Sequence, residues 1–87
     1  MKIRLYEIIL YSDYKYLAYE PIDTPQDETL IHRLNQANDY IKINALECSG
    51  YFGYKRDVQK GSVTYIRRSS IESVCLIDES EREIIGD

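Results

Sequence analysis

Gly61-Ser62-Val63-Thr64-Tyr65-Ile66-Arg67-Arg68-Ser69-Ser70-Ile71-Glu72-Ser73-Val74-Cys75-Leu76-Ile77-Asp78 is the stretch that decides the fold of this chain. Two β-branched apolar runs, Val63–Ile66 and Val74–Ile77, flank a polar corner at Arg67–Ser70, the pattern of two strands joined by a tight bend. If Ile66, Ile71, Val74 and Leu76 face a core, then Val63, Tyr65, Cys75 and Ile77 line the opposite face. Strands apolar on both sides need cover on both: the helix expected between Thr24 and Asn38 can cover one side, and the other needs a closed barrel or a partner subunit.

Working outward, Tyr40–Cys48 alternates Ile41, Ile43 and Ala45 against Lys42 and Asn44, which predicts another strand. The intervening Ser49–Gly61 holds three of the four glycines with Tyr51, Phe52 and Tyr54, and is expected to be a long hairpin connection. Upstream, Thr24-Pro25-Gln26-Asp27 resembles a helix start, and Leu30, Ile31, Leu34 and Ala37 follow at helical spacing. That predicts an amphipathic helix over 25–38, with His32 and Arg33 turned to solvent. Lys2–Tyr11 and Tyr14–Glu20 are expected to pair as a hairpin across Ser12-Asp13, with a bulge near Tyr6-Glu7.

The expected fold is therefore α+β and β-rich: an antiparallel bent sheet or small open barrel with one helix, in the order β-β-α-β-β-β. The expected core is Ile3, Leu5, Ile8, Leu10, Leu17, Leu30, Ile31, Leu34, Ile41, Ile43, Ile66, Ile71, Val74 and Leu76. Residues 1–78 make a single globular domain on this reading, and residues 79–87 an acidic C-terminal tail.

At 87 residues, with 44 % hydrophobic and 30 % charged residues, the chain has the composition of one small globular domain. Its net charge of −4 is unevenly spread. Residues 1–41 sum to −3, residues 42–68 to +4 and residues 69–87 to −5. Nine tyrosines against one phenylalanine and no tryptophan suit half-buried strands and contact surfaces.

Cys48 and Cys75 lack metal-ligand spacing, and the single histidine, His32, has no ligand-like neighbour, so neither a metal nor a cofactor is expected. Two free thiols, both expected to be buried, an N-terminus interrupted by charges and no membrane-length apolar run lead to a cytoplasmic expectation, with no membrane partner. No nucleophile elbow, phosphate loop or dinucleotide fingerprint occurs, so the chain is expected to be non-catalytic.

Two binding surfaces stand out. Tyr14, Tyr16, Tyr19 and Glu20 suit a protein partner, with tyrosines as anchors and carboxylates steering association. This is the favoured reading: a small interaction module of the inhibitor, immunity or phage-type regulatory kind, with a homo-oligomer also plausible. The alternative is single-stranded RNA on a basic-aromatic set, Tyr51, Phe52, Tyr54, Lys55, Arg56, Lys60, Arg67 and Arg68.

Val63 to Val74 resembles the second motif of Sm-like RNA-binding barrels, in which an apolar strand runs into Ile-Arg-Gly, turns and resumes with an aliphatic residue. Asp39–Glu47 is loosely similar to the first motif. Arg68 stands where that motif has glycine, Asn44 is out of register and the helix lies mid-chain instead of leading. The resemblance implies a small oligomeric barrel that binds RNA, with Arg67 as the residue carried over.

Overall fold

The structure, a computed structural model, describes residues 1–46 and 58–85. The strands are β1 (Lys2–Leu10), β2 (Lys15–Pro21), β3 (Tyr40–Leu46), β4 (Val58–Arg67), β5 (Ile71–Glu81) and β6 (Glu83–Ile85), with one helix, α1 (Leu30–Gln36), between β2 and β3. They form a single open sheet in the order β5-β1-β2-β3-β4-β6, antiparallel except for the β4–β6 pair. The expected β-rich α+β class is the one observed. β5 and β6 lie at opposite ends of this order, yet only Arg82 separates them in the chain. One residue spans at most about 3.6 Å, so the sheet must curl until its two ends approach.

Curling comes from the β1–β5 ladder. Its register steps between Leu5 and Tyr6 and again between Ile9 and Leu10, leaving Ile77 and Glu72 of β5 unmatched on β1. Extra residues of this kind bend a strand and increase its twist. The first step falls opposite Leu5 and Tyr6, but its extra residue is Ile77 of β5; β1 itself, expected to bulge near Tyr6-Glu7, pairs with β2 in unbroken register.

Cross-strand register divides the side chains into two faces. On one, Tyr6, Ile8, Ala18, Ile41, Ile43, Ala45, Ile66 and Ile71 pack beneath Leu30 and Leu34 of α1. On the other, Ile3, Leu5 and Leu46 pack with Leu17, Tyr19 and Ile84. β1 contributes to both, as befits a strand with neighbours on either side.

Four expectations are corrected. The helix does not start at Thr24: its hydroxyl and N–H both donate to the Pro21 carbonyl, closing a turn. Pro25 is extended, residues 26–28 make a 3-10 turn, and Thr29 caps α1 by accepting the His32 N–H. With only two turns, α1 buries a single i, i+4 pair, and Ile31, expected in the core, is 46 % exposed. Leu76 is likewise 52 % exposed, on a β5 that among the described residues has only β1 as a neighbour.

The boundary at Asp78 also moves. β5 continues to Glu81 because Glu79 and Glu81 lie opposite Arg4 and Lys2 of β1, opposite charges across a ladder. β6 follows, and Ile84 docks on the smaller cluster. An acidic segment too polar to order alone is ordered by the cations of the first strand.

The β1–β2 hairpin forms as expected, but its loop is the three residues Tyr11-Ser12-Asp13 instead of a two-residue Ser12-Asp13 connection. Asp13 N–H donates to the Leu10 carbonyl and Leu10 N–H to the Tyr14 carbonyl, each at 2.9 Å. Asp13 sits at φ 68°, the left-handed conformation that follows a tight turn in loops of this length.

Candidate functional site

Glu20, expected to steer a partner, is 4 % exposed. Its Oε2 accepts from Arg4 Nη1 and from the Tyr6 hydroxyl, each at 3.0 Å, and its Oε1 accepts the Leu30 N–H at 2.7 Å. Arg4 also donates to the Ile22 carbonyl and lies 3.9 Å from Glu79. The carboxylate is thus an internal organiser: it satisfies an otherwise orphaned donor of α1 and ties β1 to β2. Burial, reinforced by the hydrogen bond to Glu20, pushes the Tyr6 hydroxyl up to about 12. No sequence pattern marks Glu20 as buried; only its pairing opposite Arg4 and its position beneath α1 do so.

The remaining protein-binding candidates divide between faces. Tyr19 turns toward the smaller cluster and approaches Gly61, where an added Cβ would meet its hydroxyl at 3.0 Å. Tyr14 and Tyr16 stay together on the face that carries α1, their rings 4.8 Å apart and tilted by 52°. Tyr14 is 58 % exposed, and Tyr16 packs on the edge of the larger core.

The same face carries a groove of about 190 Å³ between α1 and β5, in which Ile31, Leu34, Ile71 and Val74 are joined by Asn35, Arg68, Glu72 and Ser73. Register links it to the tyrosines: Ile8 lies between Tyr16 and Val74, and Leu10 between Tyr14 and Ile71. Ile31 and the groove are absent from the expected site. Their only signal was the shortness of the apolar stripe on α1.

A larger polar cleft, about 530 Å³, opens where the β2–β3 ladder stops after Ala18. Glu20, Pro21, Asp23 and Glu28 line one side, Arg33, Lys42 and Asn44 the other. Arg33 donates to the Glu28 and Lys42 carbonyls, and Thr24 to Pro21. The lining pairs no nucleophile with a base.

In the basic-aromatic set, Tyr51, Phe52, Tyr54, Lys55 and Arg56 lie outside the described residues. The two corner arginines part company. Arg68 Nε donates to the Leu34 carbonyl at 3.0 Å, closing the end of α1. Arg67 stays exposed, its guanidinium 5.4 Å from the centre of the Tyr40 ring and bonded to the Tyr40 hydroxyl at 3.1 Å. Cys75, expected to be buried, is instead an exposed free thiol, because it lies on the face of β5 opposite α1. Among the described residues, no group of three or more His, Cys, Asp or Glu side chains could hold a metal ion, and no helix is long and apolar enough to cross a membrane.

Small, curled, mostly antiparallel sheet with one helix is thus the class that the fold defines. Comparison with protein-family models, with curated proteins and with solved structures finds no match for this chain.

Proposed function

We propose that this chain is a non-catalytic interaction module that binds a protein partner on the face shared by Tyr14, Tyr16 and the groove between α1 and β5. The observation that carries the reading is the continuity of that face: two tyrosines in ring contact lead, across Leu10 and Ile8, to a groove of mixed apolar and polar lining edged by exposed Ile31. Tyrosines held by a rigid turn lose little entropy on binding, and a groove beside them can take an apolar side chain of the partner. The polar cleft offers no comparable grouping for catalysis. An exposed Cys75 thiol agrees with a reducing, cytoplasmic setting.

The test is capture from a nuclease-treated extract, comparing the unaltered chain with Tyr14→Ala/Tyr16→Ala and with Ile31→Glu. A partner held by the unaltered chain and by an Arg67→Ala control, but released by both site variants, is the expected result. Equal capture by all four proteins counts against the reading. Mass by light scattering separates a second copy of the chain from a foreign partner, since only a second copy raises the mass of the pure protein.

A further inference from the structure

On the face opposite α1, the β3–β4 ladder places Tyr40 beside Arg67, Lys42 beside Tyr65 and Asn44 beside Val63. Cross-strand partners project from the same side of a sheet, so these six side chains share one surface. Tyr40 is 56 % and Tyr65 65 % exposed, and Lys42 and Arg67 are exposed with them. The result is a chequer of two phenol rings and two cations, each ring flanked by a positive charge across the ladder. From residue 40 to 46 and from 61 to 67, no acidic side chain occurs on this face; the remaining positions are Leu46 and Gly61. Asp39 and Glu47 flank β3 in the chain, and Asp23 and Glu28 stand across the polar cleft that Lys42 and Asn44 also line, so the acids border the surface without interrupting it.

We infer that this surface is a binding platform for single-stranded nucleic acid. Exposed tyrosine faces are what unpaired bases stack on, and interleaved cations are what the phosphates of the same strand need. Tyr40 and Tyr65 are diagonal neighbours, a relation that sets their Cα atoms roughly 7–8 Å apart. That is about twice the ~3.4 Å rise of a strand within a duplex. Each ring therefore has room for a base of its own, which an unpaired strand can offer and a duplex, whose bases are paired and stacked inside, cannot. Arg67 is already held over the Tyr40 ring, which pre-orients the guanidinium beside one stacking position. A basic patch on an acidic protein is workable because local potential governs encounter, and like-charged surface elsewhere limits binding to this one face.

This inference is independent of the protein-binding proposal, whose residues lie on the other face. The experiment uses fluorescein-labelled oligo(U) and oligo(dT) of ten nucleotides and a labelled ten-base-pair duplex, followed by anisotropy at 20 mM salt. Binding of a single strand but not of the duplex is expected; the ratio of the two single-stranded affinities tells RNA from DNA. Tyr65→Ala should weaken it about tenfold, the effect of losing one stacked base. Arg67→Gln and Lys42→Gln should each weaken it and flatten its salt dependence. Tyr14→Ala should leave it unchanged.

In parallel, the Tyr40, Lys42, Tyr65 and Arg67 amide resonances of the unaltered protein should move on adding oligo(U), a readout that needs no variant to fold. No single-strand binding at 20 mM salt overturns the inference. So does binding that survives Tyr65→Ala and Arg67→Gln, or binding that moves other resonances and not these. Capture of a protein lost in Tyr65→Ala but kept in Tyr14→Ala would assign the face to a protein and overturn it as well.

Discussion

The backbone N–H of Leu30 donates to Glu20 Oε1 at 2.7 Å, so a side chain from the end of β2 completes the first turn of α1. The same carboxylate accepts from Arg4 and Tyr6, and three donors therefore depend on one buried group. Glu20→Ala strands all three, one of them charged, and is expected to cost about 3–5 kcal/mol. For a chain of this size that is a large share of a total stability of roughly 4–13 kcal/mol. Urea unfolding measures it; a loss below about 1 kcal/mol would show that the carboxylate does not organise the fold.

Alkaline stability isolates Tyr6. Its folded-state pKa, raised to about 12, exceeds the usual value of 10.0. Between these values the unfolded chain releases the proton and the folded chain keeps it. The stabilisation is complete below pH 10 and is lost as pH rises from 10 to 12, by roughly 3 kcal/mol for this group. Tyr6→Phe should cost about 1–2 kcal/mol at pH 7 and remove that part of the alkaline decline. Parallel decline of the two proteins between pH 10 and 12 would contradict this assignment.

Asp13 holds a left-handed conformation at φ 68°, which glycine adopts without strain. Asp13→Gly is expected to stabilise the protein by about 0.5–1 kcal/mol, an increase of a few degrees in Tm. A lower Tm would mean that the Asp13 side chain contributes more than its backbone costs.

Arg67 and Arg68, adjacent in sequence, should behave oppositely. Arg68→Ala removes the bond to the Leu34 carbonyl and should cost about 1 kcal/mol. Arg67→Ala loses only exposed contacts with Tyr40 and should stay within about 0.5 kcal/mol of the unaltered protein. Thermal unfolding of the two variants side by side decides it, and the reverse ranking would refute it.

Gly61 lies where β4 passes Tyr19 and Ile84, and a Cβ there would come within 3.0 Å of both side chains. Gly61→Ala is expected to cost about 1–2 kcal/mol by displacing Ile84 from the smaller core. A parallel loss of amide protection in β6 is the signature to look for; unaltered protection would place the strain elsewhere.

Alternation and turn chemistry were enough to give the strand class, the first hairpin and most of the core, because period-2 patterns at Ile41, Ile43 and Ala45 are local properties of the chain. Which acids stay wet was not legible. Glu20 looks like any surface carboxylate until Arg4, Tyr6 and Leu30 converge on it from distant positions. The acidic end is ordered for the same kind of reason, since its partners Lys2 and Arg4 lie at the other end of the chain. Thr24-Pro25 and Thr29 both carry helix-start chemistry, and the choice fell to the one whose first turn Glu20 could reach.

The strand at Gly61–Asp78 behaves in the same divided way. The sequence by itself determined that β4 and β5 meet at a polar corner and are apolar on both faces, because side-chain alternation and β-propensity act over neighbouring residues. Only the tertiary structure decided what covers each face. α1 and the curl of the sheet bury Ile66 and Ile71, whereas Leu76 on the same face lies beyond the reach of a two-turn helix, Ile77 is the extra residue of the ladder, and Val63, Tyr65 and Cys75 are exposed on the face opposite α1. It also decided that Arg68 closes a helix while Arg67 stacks on Tyr40, a separation of roles set by contacts across 34 and 27 residues of chain.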